Sequence, residues 1–197
     1  MKLTGERQIA ASREHVWEKL NDVEVLRRCI PGCQSLEQVS PTELKATVAL
    51  KIGPMNAKFS GDVELKDLNP PNSYRIEGSG SGGVAGRASG GADIALTDAD
   101  GGTLLTYDVD AKVSGKIAQL GQRLIDATAA SLAEKFFTSF SDEFAPQEPT
   151  GETEPEGAIG RPRHHAPVRS APRRGNWLWY IAGGIALALI VLLIVQS

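Results

Sequence analysis

The sequence predicts an α+β domain in which one curved antiparallel sheet wraps around a single long helix. Three observations carry this. Segments between residues 43 and 115 alternate apolar and polar side chains with period two. Residues 116–144 then carry apolar side chains at helical spacing. Seven glycines fall between 78 and 91, within strand-patterned flanks. A sheet with one apolar face needs a cover, and the long helix supplies it.

Taken in order, MKLTGERQIA reads as a first strand. SREHVWEKLND follows, with Ser12 placed to cap a short helix whose apolar residues are Val16, Trp17 and Leu20. VEVLRRCI reads as a second short helix, stopped by Pro31 and Gly32. ELKATVALKI puts Leu44, Ala46, Val48, Leu50 and Ile52 on one face, and AKFSGDVELKDL does the same with Ala57, Phe59, Gly61, Val63 and Leu65. NPPNS is a turn. SYRIEG and GADIALT are further strands, and DADGGT turns into LLTYDVDAKVSG, where Leu105, Tyr107, Val109, Ala111 and Val113 share a face. The order is therefore one strand, two short helices, about six antiparallel strands and one long helix.

The closing helix is expected over about 116–144, with Ile117, Leu120, Leu124, Thr128, Leu132, Phe136, Phe140 and Phe144 along its apolar stripe. That length corresponds to about 43 Å. Glycine inside a strand marks a bend, a bulge or the close approach of something to the backbone. In GSGSGGVAGRASGG the bends of a coiled hairpin and room for a guest are compatible readings, because each glycine also strips a side chain from one wall.

The formal net charge is −3, but it is unevenly spread. Residues 1–147 hold 16 Lys/Arg against 20 Asp/Glu, residues 148–160 add four Glu, and residues 161–174 add five Arg. A mildly acidic domain lacks the electrostatic footprint of a nucleic-acid binder. No metal is expected, since Cys29, Cys33 and His15 with the His164–His165 pair do not make a four-ligand zinc set. Two cysteines flanking a Pro-Gly turn read as reduced, packed side chains. The opening residues contain no apolar signal-peptide core.

The domain is expected to span 1–145. Residues 146–176 hold six Pro with scattered Gly and Glu and almost no bulky apolar side chain, the composition of a disordered linker. A coil of this length averages about 30 Å end to end. From Trp177 to Val195 run 19 uncharged residues, eleven of them Leu, Ile or Val. As a helix they cover about 28 Å, close to the hydrocarbon thickness of a bilayer. Trp177, Trp179 and Tyr180 cluster at one end, and the five Arg precede it. The expectation is a single-pass C-terminal anchor in the inner membrane, with the domain on the cytoplasmic side.

Several separated stretches, in order, carry a resemblance. MKLTGE, LRRCIPGC, KIGPMNAKFSG, GSGSGGVAGRASGGADIAL and YDVDAKVSGKIAQLGQRLID together resemble the carbon monoxide dehydrogenase G-subunit family. That family belongs to the helix-grip superfamily, with lipid-transfer START domains and birch-pollen-allergen (Bet v 1)-like proteins. The resemblance covers about residues 1–145. It implies recruitment of a cytoplasmic molybdenum-containing CO dehydrogenase-type hydroxylase to the inner membrane, and a hydrophobic cavity holding a quinone or lipid. It implies no covalently bound cofactor in this chain itself.

Between long helix and sheet, a cavity would be lined by Leu50, Phe59, Tyr107, Val109, Leu120 and Leu124; each is also readable as plain core. Partners would be the dehydrogenase, membrane lipid and a hydrophobic small molecule, and not nucleic acid. A generic lipid carrier is an alternative. An enzyme would have to draw on His15, Tyr107, Asp108, Asp110 and Arg123, which form no triad or paired-acid motif, so no catalytic residue is expected. Asp108 and Asp110 alternate with Tyr107 and are expected to face solvent, and Arg123 to pair with a surface acid.

Overall fold

The computed structural model describes residues 2–145. The expected linker, 146–176, and the expected span, 177–195, lie outside the described residues, and no helix among those described is long and apolar enough to cross a membrane.

β1 (Lys2–Ile9) leads into α1 (Arg13–Leu20) and α2 (Val23–Cys29). Ser12 caps α1 as its sequence position suggests: its side chain accepts the backbone N–H of His15 at 3.3 Å. Asp22 caps α2, accepting from the N–H groups of Glu24 and Val25 at 2.8 and 3.2 Å. Six strands follow: β2 (Cys33–Gln38), β3 (Glu43–Ile52), β4 (Met55–Asn69), β5 (Ser73–Ser81), β6 (Arg87–Ala99) and β7 (Gly102–Ser114). They form one antiparallel meander, with β1 added at its far edge, in the order β1-β7-β6-β5-β4-β3-β2. β2 is short, sits at the edge and buries only Leu36, so its weak alternation hides it in the sequence.

α3 (Gln122–Asp142) covers the inner face. It is shorter than the sequence suggests, because Ile117–Leu120 form a 3-10 turn and Gly121 then takes φ +90. That backbone conformation is outside the helical region and strained for any residue with a Cβ, so the chain turns here before the helix starts. At 21 residues α3 runs about 31 Å. Its buried stripe is also rotated slightly from the expected one. Ile125, Ala129, Leu132, Ala133, Phe136, Phe137 and Phe140 are buried, whereas Leu124 and Thr128 lie half-buried at the margin. Small Ala129 and Ala133 let the helix sit close to its neighbours, and Phe136 and Phe140 stack at 5.6 Å beneath it.

The glycine-rich stretch is split by a turn. Gly78 and Gly80 lie within β5, Gly90 and Gly91 within β6, and a 3-10 turn at Gly83–Ala85 joins the strands. Gly61 pairs with Gly80 across β4 and β5. A Cβ on Gly61 would stand 2.6 Å from the Ser79 carbonyl oxygen, and one on Gly90 would stand 2.3 Å from that of Asp110. Neighbouring backbones therefore come closer here than side chains allow, which is how the sheet achieves its curl.

Candidate functional site

Alternation decides what faces α3. On β5 the inward positions are Tyr74, Ile76, Gly78 and Gly80, and on β6 they are Ala88, Gly90, Ala92, Ile94 and Leu96. Pairing lines these up across the sheet. One cross-strand row runs Ala46–Gly61–Gly80–Ala88–Val113, and its neighbour runs Leu44–Val63–Gly78–Gly90–Ala111. The middle of the inner wall is thus built of Gly and Ala, with larger side chains toward both ends.

Of the six expected lining residues, Leu50, Phe59, Tyr107 and Val109 belong to one buried cluster, Leu120 packs against it, and Leu124 is half-buried. Phe59 and Val109 are fully buried. The Phe59 ring occupies the space where a Cβ of Gly82 would sit, so it plugs the end of the β5–β6 connection. Leu50 is buried on β3. Leu124, half-buried in the first turn of α3, reaches over Gly53 in the β3–β4 turn. Leu120 is half-buried and packs against the core.

Tyr107 lies flat across Gly5 of β1 and stacks on Phe137 at 5.4 Å. Burial pushes its phenol pKa up, and the nearby Arg7 acts weakly the other way. Arg7 pairs with Glu134 of α3 and stands over the Phe137 ring, its guanidinium carbon 5.4 Å from the centroid.

The residues an enzyme would have used are scattered. His15 is exposed on α1, edge-on to Phe144 at 5.3 Å. Asp108 and Asp110 face outward from β7, as expected, while Tyr107 faces inward. Asp110 accepts from Arg75, which also binds Glu77 and Asp93 in an outer cross-strand ladder. Arg123 is exposed, without the acidic partner expected of it among the described residues. Among the described residues no three His, Cys, Asp or Glu gather as a metal set. Grooves of 600 and 470 Å³ do open on the sheet's outer face, with walls that mix Glu43, Asp62, Glu77, Ser79 and Ser89 with Val39 and Val113.

One interior residue carries more than its place in the apolar stripe of α1 suggests. Trp17 is 4% exposed, meets the Tyr74 ring edge-on at 5.2 Å, and keeps its indole Nε1 buried without a hydrogen-bond partner. Burial alone raises the Tyr74 phenol pKa. Trp17 is the sole buried residue of α1 with a polar side-chain atom, and that is the signal available in the sequence.

Known proteins agree with this architecture. A conserved protein from Geobacillus kaustophilus is 33% identical, superposes with a TM-score of 0.69, and is matched over 73% of this chain and 94% of its own. A Thermus thermophilus protein shares 18% identity, with a TM-score of 0.54 over 72% of this chain and 95% of its own. Ara h 8.0201 shares 16% identity, with a TM-score of 0.50 over 73% and 96%. The last two show the fold alone, a helix-grip sheet of the Bet v 1 type. No curated protein matches the chain. The carbon monoxide dehydrogenase G-subunit (CoxG) family matches residues 5–145, from the first strand to just beyond the closing helix. The chain therefore belongs to the CoxG family, the G-subunits of carbon monoxide dehydrogenase.

Proposed function

We propose that this protein is a membrane-tethered, non-catalytic accessory protein that holds a quinone-like apolar molecule between α3 and the sheet, and recruits a molybdenum CO dehydrogenase-type oxidoreductase to the inner membrane. The observation that carries the ligand half is the Gly/Ala wall. Ala46, Gly61, Gly80 and Ala88 form a continuous inward row, which keeps bulky side chains off the middle of the inner face. Family membership supports the partner, and the uncharged stretch 177–195 supports the anchor.

The mechanism is proximity. Electrons leaving a soluble dehydrogenase have to reach a quinone dissolved in lipid. A linker averaging about 30 Å keeps the enzyme near the bilayer at an effective concentration of order mM. A quinone carried inside the domain spares the dehydrogenase from touching lipid. The test removes residues 177–197. Membrane association of the dehydrogenase and CO-dependent respiration should both fall; unchanged values would overturn the tether. Native mass spectrometry of the full chain should find a co-purified quinone, whereas a bound phospholipid would favour a general lipid carrier.

A further inference from the structure

We infer that the Trp17 indole N–H is the hydrogen-bond donor that recognises a carbonyl oxygen on the apolar guest. This rests on the ligand-binding reading above and names the chemistry of that site.

The donor is buried and unmet. Trp17 is 4% exposed, and no atom of the described residues accepts from its Nε1. Buried polar groups are almost always satisfied, so an orphan in an otherwise well-paired region asks for an explanation. The surroundings are well paired. The Asn21 side-chain amide donates to the Trp17 carbonyl at 2.6 Å, and the Thr103 hydroxyl donates to the Ala11 carbonyl at 2.7 Å. The other orphan, Arg13 Nε, is also buried, but it belongs to a side chain 27% exposed whose terminal nitrogen lies 3.4 Å from Asp98.

Position supplies the rest. The Trp17 ring packs edge-on against Tyr74, which points inward from the start of β5. Along the same face, Gly78 lies four residues further on, about 13 Å away. There the Gly/Ala wall begins. A guest with an acceptor oxygen at Trp17 and an apolar body extending toward Gly78 and Gly90 would meet both features. The class is an apolar molecule carrying a carbonyl at one end. A pure hydrocarbon would leave the N–H unmet.

The experiment uses the full chain in detergent micelles and two probes: a decyl-substituted dimethoxybenzoquinone, and diphenylhexatriene, a hydrocarbon with no acceptor. Trp17→Phe keeps a ring and deletes the donor. It should weaken quinone binding about tenfold and leave diphenylhexatriene binding unchanged. Equal weakening of both probes, or of neither, would overturn the inference while leaving the cavity in place. If the unsubstituted chain binds neither probe, the ligand-binding reading falls and this inference with it. Should Trp17→Phe not fold, W177F/W179F leaves Trp17 as the sole indole. Its ¹⁵N-detected N–H resonance should move downfield with the quinone and not with the hydrocarbon. An indole signal indifferent to the quinone would overturn the inference.

Discussion

Arg28 grips Glu143 through two parallel hydrogen bonds, from Nε to Oε1 at 2.9 Å and from Nη2 to Oε2 at 2.7 Å. The pair ties α2 to the residue just beyond α3, and Lys19 of α1 adds a third charge 3.9 Å away. The last turn of the covering helix is thereby fastened to both short helices. Arg28 holds the Glu143 carboxyl below the usual carboxylate range, with burial opposing it. A depressed folded pKa contributes stability that is complete above the unfolded value of about 4.3 and disappears as pH falls through the folded value. Thermal melts between about pH 5 and pH 3 should therefore lose more stability in the parent than in Glu143→Gln. Arg28→Ala should cost about 1 kcal/mol at neutral pH, because the fork is bidentate but half exposed.

Gly90 is the sharpest test of the curled sheet. With a Cβ 2.3 Å from the Asp110 carbonyl oxygen, the adjacent backbones of β6 and β7 must separate to admit a side chain. Gly90→Val should destabilise by about 2–3 kcal/mol in urea unfolding, whereas Ser89→Ala, one residue away and facing out, should stay within about 0.5 kcal/mol.

Phe136 is fully buried, stacks on Phe140 and meets Phe137 edge-on at 5.2 Å. Phe136→Ala should cost about 3–5 kcal/mol by chemical denaturation. Leu124, half-buried over Gly53, lies at the margin of the core. Leu124→Ala should cost only about 1 kcal/mol. If guests enter beside the first turn of α3, the same change should speed the exchange of a bound quinone in stopped-flow displacement, and unchanged exchange would place the entrance elsewhere.

Both cysteines are free thiols. Burial pushes the Cys29 thiol up to about 12, and that of half-buried Cys33 upward as well. Since the thiolate is the reactive form, alkylation by iodoacetamide at pH 8 should be slow in the folded protein and slowest at Cys29. Mass spectrometry of timed digests reads this directly. Rapid labelling of Cys29 would mean that α2 opens readily.

Much of the architecture is legible in the residues. Ser12, the Pro31-Gly32 stop and the alternation of Leu44–Ile52 locate their elements because capping, proline geometry and period-two burial are local effects. The family resemblance too is carried by short contiguous stretches. Less legible are the ends of the long helix. Helical spacing continues through Ile117 and Leu120, while the positive φ at Gly121 comes from the turn that brings the chain back from β7.

The amino-acid order alone determined which residues prefer the interior and which elements they build, since periodicity and turn chemistry act between near neighbours. Only the folded chain decided what those interior residues meet. Strand register aligned Ala46, Gly61, Gly80 and Ala88 into one wall, and the packing of α1 left the Trp17 N–H buried beside Tyr74. Both depend on contacts between residues far apart in sequence, where no local pattern can specify distance or direction.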